Sequence, residues 1–141
     1  RVAGPEQERR SAMDALEMIA DNFLSVSTPV QAALPDLLRI GTSIRARIQE
    51  RILSNLQTLR QAAAGAPSIS ALPVEAGWSA VLRIPATRSD EDTVLALLDR
   101  GVLLQPGYFF DFPADGYLVV SLLTPPDQFA EGIRRTLEVI G

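Results

Sequence analysis

Apolar residues in the first half of the chain recur at the spacing of α-helices. The intervals between them predict three helices, which cover residues 5–24, 30–38 and 43–61. Pro35 predicts a kink or a tight first turn in the second helix, and Gly41 separates this helix from the third. The third helix is long enough for a strut joining two parts of a protein. Its apolar stripe has an i, i+4 spacing and consists of Ile44, Ile48, Ile52, Leu56 and Leu59.

After residue 65 the helical spacing gives way to short apolar runs of strand length. The predicted strands cover residues 69–72, 78–84, 102–105 and 117–123. Ser89 caps a helix that ends at Gly101, and a final helix follows Pro125. This order predicts an α+β fold, with a small, mainly antiparallel sheet covered by helices and preceded by the strut helix. We therefore divide the chain into a helical segment, 1–64, and an α+β domain, 65–141.

Composition restricts the chemistry of this chain. Its 141 residues are 47% hydrophobic and 21% charged, enough for about one packed domain, and the net charge of -4 argues against a nucleic-acid surface. Cys and His are absent, and all 13 basic residues are Arg, so Lys is absent too. The commonest general base, the thiol nucleophile and the Schiff-base amine are therefore missing together. We do not expect the chain to be a complete enzyme by itself.

The first residues of the chain and its apolar runs indicate the cellular compartment of the protein. The chain opens at Arg1 rather than Met, and we expect it to be a processed or excised piece of a longer chain. Its first residues resemble neither a signal peptide nor a transit peptide. No run approaches the ~20 apolar residues of a membrane span. We expect a cytoplasmic protein without membrane contact.

Two segments are candidates for binding. The polar segment 25–31 places hydroxyls before a helix, which suits an anion or phosphate, although the residues alone favour a plain helix cap. The loop after Pro106 carries four aromatic residues, which could line a ligand cleft or a subunit contact, or fold over the core. These residues are Tyr108, Phe109, Phe110 and Phe112.

Two further groups of charged residues have simple structural explanations besides a functional one. Asp111 and Asp115 flank the aromatic loop, where carboxylates form turns more often than they form an acid/base pair. A set of arginines on the predicted helices could bind phosphate, but a solvated helix face explains it better. This set consists of Arg39, Arg45, Arg47 and Arg51.

Four stretches give the chain a family resemblance. They are residues 25–31 (SVSTPVQ), 77–82 (GWSAVL), 101–110 (GVLLQPGYFF) and 116–122 (GYLVVSL). In this order they resemble the C-terminal portion of class I/II, fold-type I pyridoxal-phosphate-dependent aminotransferases. The resemblance implies a homodimeric enzyme that transfers an amino group between an amino acid and a 2-oxo acid. It also implies that the Schiff-base lysine and the aspartate that pairs with the pyridine nitrogen lie upstream, so the fragment alone is inactive.

The resemblance assigns binding roles to five residues and catalytic or metal-binding roles to none. Ser27 and Thr28 occupy positions that approach the cofactor phosphate of the neighbouring subunit. Gly77, Trp78 and Tyr108 lie on segments that border the substrate pocket.

The sequence departs from the family at Val119, where the family strand carries an arginine that grips the substrate carboxylate. A different arginine, a substrate without that contact, or a shifted alignment would each explain it. Arg83 on the neighbouring strand is the nearest replacement. A side chain of Arg83 that faces away from Trp78 and Tyr108 would exclude it, and the alternative is that Arg83 extends from the sheet into solvent.

Two other functions stay open. The domain could be the aminotransferase-like, effector-sensing module of a transcription regulator, which a DNA-binding domain upstream of Arg1 would indicate. A less favoured interpretation is an unrelated ligand-binding or ACT-like α+β domain.

Overall fold

The structure, a computed structural model, describes residues 2–23 and 26–141. In this part of the chain the elements are α1 (Glu6–Asn22), α2 (Thr28–Ala64), β1 (Ser70–Ala71), β2 (Ser79–Arg83), α3 (Asp90–Leu98), β3 (Gln105–Pro106), a 3₁₀ helix (Gly107–Phe110), β4 (Tyr117–Ser121) and α4 (Pro126–Ile140). The predicted segregation of helices and strands is confirmed.

The strands form one sheet in the order β1-β2-β4-β3, and each neighbouring pair is antiparallel. At its centre Val81 lies opposite Val119 and Leu82 lies opposite Leu118. Because side chains alternate along a strand, these two pairs lie on opposite faces of the sheet. The predicted α+β fold with a small antiparallel sheet is therefore confirmed.

The hydrophobic core lies on the sheet face that carries Leu82 and Leu118, both of which are almost completely buried. Fully burying one such side chain contributes about 1.5–3 kcal/mol to folding. Three helices cover this face with the residues Leu56 and Leu59 of α2, Leu97 of α3, and Phe129 and Ile133 of α4.

Asn55 joins α2 to the chain that follows β4. Its buried Nδ2 group donates to the carbonyl oxygens of Leu122 at 3.0 Å and Thr124 at 2.8 Å. Its Oδ1 atom is also buried and accepts no hydrogen bond from the described residues. The two carbonyls have left the sheet ladder, so this side chain supplies the donors that buried acceptors need.

The predicted break between the second and third helices is wrong, because α2 continues through Pro35 and Gly41 to a length of 37 residues. Proline removes one backbone hydrogen bond, and glycine in a helix costs about 1 kcal/mol relative to alanine. Neither residue blocks helical backbone outright. Thr42 also donates its hydroxyl to the carbonyl oxygen of Leu38 at 3.3 Å, within the helix.

The chain divides into two compact units, Arg1–Thr42 and Ser43–Gly141. This division does not coincide with the predicted boundary between residues 64 and 65. Residues 43–64 belong to the second unit, in which Leu56 and Leu59 join the core and Asn55 bonds to the chain that follows β4. In the other unit, α1 has no buried residue among those described.

The third strand is shorter than its apolar run predicts. Residues 102–105 were expected to form it, but β3 contains only Gln105–Pro106. Val102 and Leu104 are buried in the core without strand hydrogen bonding. Gly101 has φ 73°, so the predicted left-handed end of α3 is confirmed.

A buried carboxylate at the start of α3 holds the segments around the 3₁₀ helix in place. Asp90, which is 1% exposed, accepts hydrogen bonds from the backbone N–H groups of Gly107 (3.2 Å), Gly116 (2.7 Å) and Tyr117 (3.2 Å). Its own N–H donates to Oδ1 of Asp115 at 3.0 Å. The sequence pattern predicted Asp90 only as an acidic first-turn residue, so this role was missed.

Replacement of Asp90 by asparagine should destabilise the chain by about 2–4 kcal/mol. An amide retains one acceptor oxygen but points an NH₂ group at one of the three N–H donors, two of which are in buried hydrogen bonds. Urea unfolding of the 141-residue chain measures the change. Glu91→Gln, at the next and exposed position of α3, is the matched control and should change stability by less than ~1 kcal/mol. Equal stabilities of D90N and E91Q would contradict the role of Asp90.

Two glycine-to-alanine substitutions should have opposite effects. A Cβ atom on Gly107 would lie 2.7 Å from Cβ of Tyr117 and 3.0 Å from its carbonyl oxygen, so Gly107→Ala should cost about 1–3 kcal/mol. No described atom lies within 4 Å of a Cβ built on Gly132 in α4. Gly132→Ala should therefore stabilise the chain by about 0.5–1 kcal/mol. Thermal unfolding of both variants measures these changes in stability. A Gly107→Ala variant as stable as the unaltered chain would contradict the close approach of residue 107 to Tyr117.

Candidate functional site

The aromatic loop presents three of its rings to solvent. Tyr108, Phe109 and Phe110 are 49%, 64% and 48% exposed. Tyr108 packs edge-on against Phe109 with ring centroids 4.9 Å apart, whereas Phe112 stacks on Tyr117 at 4.5 Å. These three rings therefore do not fold over the core, which was one of the predicted alternatives. They form an open aromatic surface on a backbone that the Asp90 carboxylate holds.

Gly77 and Trp78 lie together in a groove of about 600 Å³ beside α2. Gly77 has φ 85°, a backbone conformation that favours glycine, at the turn into β2. Trp78 is 61% exposed, and its carbonyl oxygen accepts from the N–H of Leu122 at 2.7 Å. The groove is mostly apolar and is lined on the side of α2 by Ile48, Ile52, Leu53 and Leu56. Tyr108 is not among its lining residues, so this groove unites only two of the three predicted pocket residues.

Ser27 and Thr28 lie at the start of α2, as the polar segment predicts. The carbonyl oxygen of Ser27 accepts from the N–H groups of Val30 and Gln31 at 3.0 and 3.1 Å. The hydroxyls of Ser27 and Thr28 are exposed and bond to no other residue in the part of the chain that the structure describes. Ser25, the first residue of the predicted segment, lies outside the described residues. Two free hydroxyls at a helix start suit the oxygens of a phosphate.

Val119 and Arg83 share one face of the sheet. Val119 is buried and lies opposite Val81 on β2 and Gln105 on β3. Arg83 is exposed and lies opposite Tyr117, two positions along the same face. It lines a different cavity from Trp78. This separation argues against a pocket in which Arg83 replaces an arginine at position 119 beside Trp78.

The charged candidates of the sequence have mostly local partners. Asp115 accepts from the N–H of Asp90, and Asp111 has a left-handed backbone with φ 59°. Both observations favour a turn role for these carboxylates. Arg39 pairs with Asp36 at 3.2 Å, and Arg51 donates to the carbonyl oxygen of Leu123 at 3.3 Å. Arg39 and Arg51 therefore each have a local partner of their own.

The exposed surface of α4 carries a compact ion-pair cluster. Glu131 accepts hydrogen bonds from Arg134 and Arg135, which lower the pKa of its carboxyl to about 2. Arg134 also pairs with Glu138. These pairs lie at i, i+3 and i, i+4 positions, which identifies the cluster as helix-stabilising rather than catalytic.

Residues 2–23 and 26–141 contain no group of three or more carboxylates that could hold a metal ion. None of the helices in this part of the chain has the length and apolar character needed to cross a bilayer.

Neither the known protein-family models nor the curated proteins include a match to this chain. Solved structures do match it. A pyridoxal-phosphate-dependent aminotransferase from Streptococcus suis aligns with 97% of this chain and 36% of its own, at 22% identity and a TM-score of 0.74. An α-aminoadipate aminotransferase from Thermus thermophilus aligns with 94% of this chain and 36% of its own, at 18% identity and a TM-score of 0.67.

A probable N-succinyldiaminopimelate aminotransferase from Thermus thermophilus has 29% identity to the chain. It aligns with 67% of this chain and 24% of its own, with a TM-score of 0.54. The chain thus spans between a quarter and about a third of the length of these solved structures. It has the fold of the C-terminal domain of pyridoxal-phosphate-dependent aminotransferases, which confirms at the level of fold the resemblance carried by the four sequence stretches.

Proposed function

We propose that the chain is the C-terminal part of a pyridoxal-phosphate-dependent aminotransferase. The complete enzyme transfers an amino group between an amino acid and a 2-oxo acid. The observation that carries this proposal is the alignment of 97% of the chain with such an enzyme at a TM-score of 0.74. The segments 101–110 and 116–122, which resemble the family, also form the loop and strand that Asp90 joins.

The residues of this chain fit one part of the cofactor. Pyridoxal phosphate, when bound, supplies the aldehyde group that carries the amino group between the two substrates. The free hydroxyls of Ser27 and Thr28 at the start of α2 suit its phosphate, which the resemblance places in the neighbouring subunit of a homodimer. No lysine is present to hold the aldehyde, so that residue belongs to the upstream part of the enzyme.

Gly77, Trp78 and Tyr108 border the substrate pocket in this proposal. Trp78 and Tyr108 are 61% and 49% exposed, which leaves their rings available to the rest of the enzyme. Aromatic walls exclude water from a pocket while offering little charge. We therefore assign them to substrate enclosure rather than to proton transfer.

Exposed apolar side chains in the first unit favour an interface with protein outside this chain. Its helical segments expose apolar side chains of a kind that soluble proteins normally bury. Among them are Met13, Leu16, Ile19, Phe23, Leu34, Leu37 and Leu38, each at least 48% exposed. The upstream domain or the partner subunit of a homodimer is the proposed cover.

Val119 favours a second candidate function. An enzyme that binds α-amino acids needs a cation for the substrate carboxylate, and a buried valine occupies the expected position. An effector-sensing module of a transcription regulator has less need of that grip. A DNA-binding domain encoded upstream of this chain would favour the sensor, and its absence would favour the enzyme.

The 141-residue chain should not catalyse amino transfer by itself, because it contains no lysine or histidine. The test is to mix the chain with pyridoxal phosphate, an L-amino acid and a 2-oxo acid. We expect amino transfer at the same rate as with free pyridoxal phosphate alone under the same conditions. A rate above this control would contradict the assignment of the catalytic residues to the upstream region.

In the complete enzyme, the double variant Ser27→Ala/Thr28→Val should weaken cofactor binding. Each hydrogen bond to a charged phosphate is worth about 1.5–3 kcal/mol, so the dissociation constant should rise at least about tenfold. Equilibrium dialysis of the cofactor-depleted enzyme measures it. Ser54→Ala, also exposed on α2, is the control and should leave the constant unchanged. An unchanged constant in the double variant would exclude these hydroxyls from the phosphate site.

A further inference from the structure

A second cavity opens at one end of the sheet and is distinct from the groove of Trp78. It has a volume of about 550 Å³ and lies between residues 67–70, the end of β2 and the turn at 114–117. Its polar side chains belong to Ser68, Ser70, Arg83, Asp115 and Tyr117. None of the five residues proposed above for the cofactor or substrate pocket lines this cleft.

Arg83 is the cation of this cleft. Its backbone lies opposite Ser70 on β1 and Tyr117 on β4, so the side chain leaves the sheet between two polar neighbours. The guanidinium forms no hydrogen bond or ion pair with any residue in 2–23 or 26–141. A free guanidinium presents a planar set of donors that matches the two oxygens of a carboxylate.

Asp115 is the anion of the same cleft, and its orientation is set. The N–H of Asp90 donates to its Oδ1 atom at 3.0 Å, whereas Oδ2 receives no hydrogen bond from the described residues. Asp115 and Arg83 do not pair with each other, although they line one cavity. The cleft therefore presents two opposite charges that are separated and only partly satisfied.

The remaining polar groups are neutral and free. The hydroxyls of Ser68 and Ser70 are exposed and bond to no other side chain or backbone group within the described ranges. The wall formed by Tyr117 is fixed by the stacking of its ring on Phe112. A ligand with one positive and one negative end, small enough to lie between the strand end and the turn, matches this arrangement.

We propose that this cleft binds a free α-amino acid as its zwitterion. The guanidinium of Arg83 holds the carboxylate through two parallel hydrogen bonds, and the carboxylate of Asp115 accepts from the ammonium group. Ser68 and Ser70 supply hydroxyls beside the carboxylate. The site is separate from the proposed cofactor and substrate residues, so it does not depend on amino transfer by the complete enzyme.

The test is an NMR titration of the ¹⁵N-labelled 141-residue chain with L-alanine, acetate and methylamine in parallel. L-Alanine should shift the amide signals of residues 68–70, 83–86 and 114–117 saturably, together with the Nε–H signal of Arg83. Acetate, which lacks the ammonium group, should bind about tenfold more weakly. Methylamine should bind more weakly still. Absence of a saturable shift with L-alanine, or equal binding of acetate, would overturn the proposal.

Variants separate the two charges. Arg83→Met should weaken binding of L-alanine at least about tenfold, and Arg83→Lys should restore only part of it, since one ammonium cannot replace the planar donor set. Asp115→Asn retains an oxygen for the N–H of Asp90 but removes the charge, so it should abolish the preference for L-alanine over acetate.

Arg60→Met provides the matched control. Arg60 is exposed on α2 and does not line the cleft, so this variant should bind L-alanine like the unaltered chain. Unchanged ¹⁵N spectra outside the cleft establish that each variant is folded. Unchanged L-alanine binding by a folded R83M would refute the site, whatever activity the complete enzyme has.

Discussion

The carboxylate of Asp90 is the interaction on which the arrangement of the sheet half depends. It accepts from three backbone N–H groups that lie 17, 26 and 27 residues further along the chain. Hydrogen bonds to a charged acceptor contribute more than neutral ones, about 1.5–3 kcal/mol each. Within the described residues this carboxylate forms no ion pair with an arginine, and the hydrogen bonds that it accepts come from backbone N–H groups. One side chain thereby joins the start of α3, the start of the 3₁₀ helix and the start of β4.

This constraint explains the sequence at the two ends of the aromatic loop. Gly107 has no room for a side chain against Tyr117, and Gly116 has φ 105° beside the carbonyl oxygen of Ile84. Both glycines donate to Asp90, so the loop is fixed where it leaves the sheet and where it returns. The exposed rings lie between these two hydrogen-bonded points of the backbone. A binding surface made of aromatic side chains needs such preorganisation.

Local patterns predicted the elements whose signals are local. The period of the apolar residues indicated β2, β4, α1 and α4, and the Ser89 cap indicated α3. The same reasoning failed at Pro35 and Gly41, because it treats each breaker as a stop and a long helix can absorb a local cost of a few kcal/mol. It also missed Asp90 and Asn55, whose partners are distant in sequence.

The candidate sites also differ in whether the sequence alone could predict them. The roles of Ser27, Thr28, Gly77, Trp78 and Tyr108 were predicted from the family resemblance. The cleft of Arg83 and Asp115 appears only when β2 and the 114–117 turn are brought together. Charge patterning could not reveal it, since Arg83 reads as an ordinary strand-end arginine.

The two faces of the sheet account for where binding can occur. Alternation along β2 and β4 places Leu82 and Leu118 under three helices, so that face is occupied by the core. The opposite face carries Val81, Val119 and Arg83, and Arg83 at its end is exposed. The chain contains no lysine, histidine or cysteine, so it lacks the Schiff-base amine, the commonest general base and the thiol nucleophile. It retains guanidinium, carboxylate, hydroxyl and aromatic groups, which are the means of recognition. In the proposed function these groups contribute to binding surfaces, and the Schiff-base lysine is assigned to the upstream region of the enzyme.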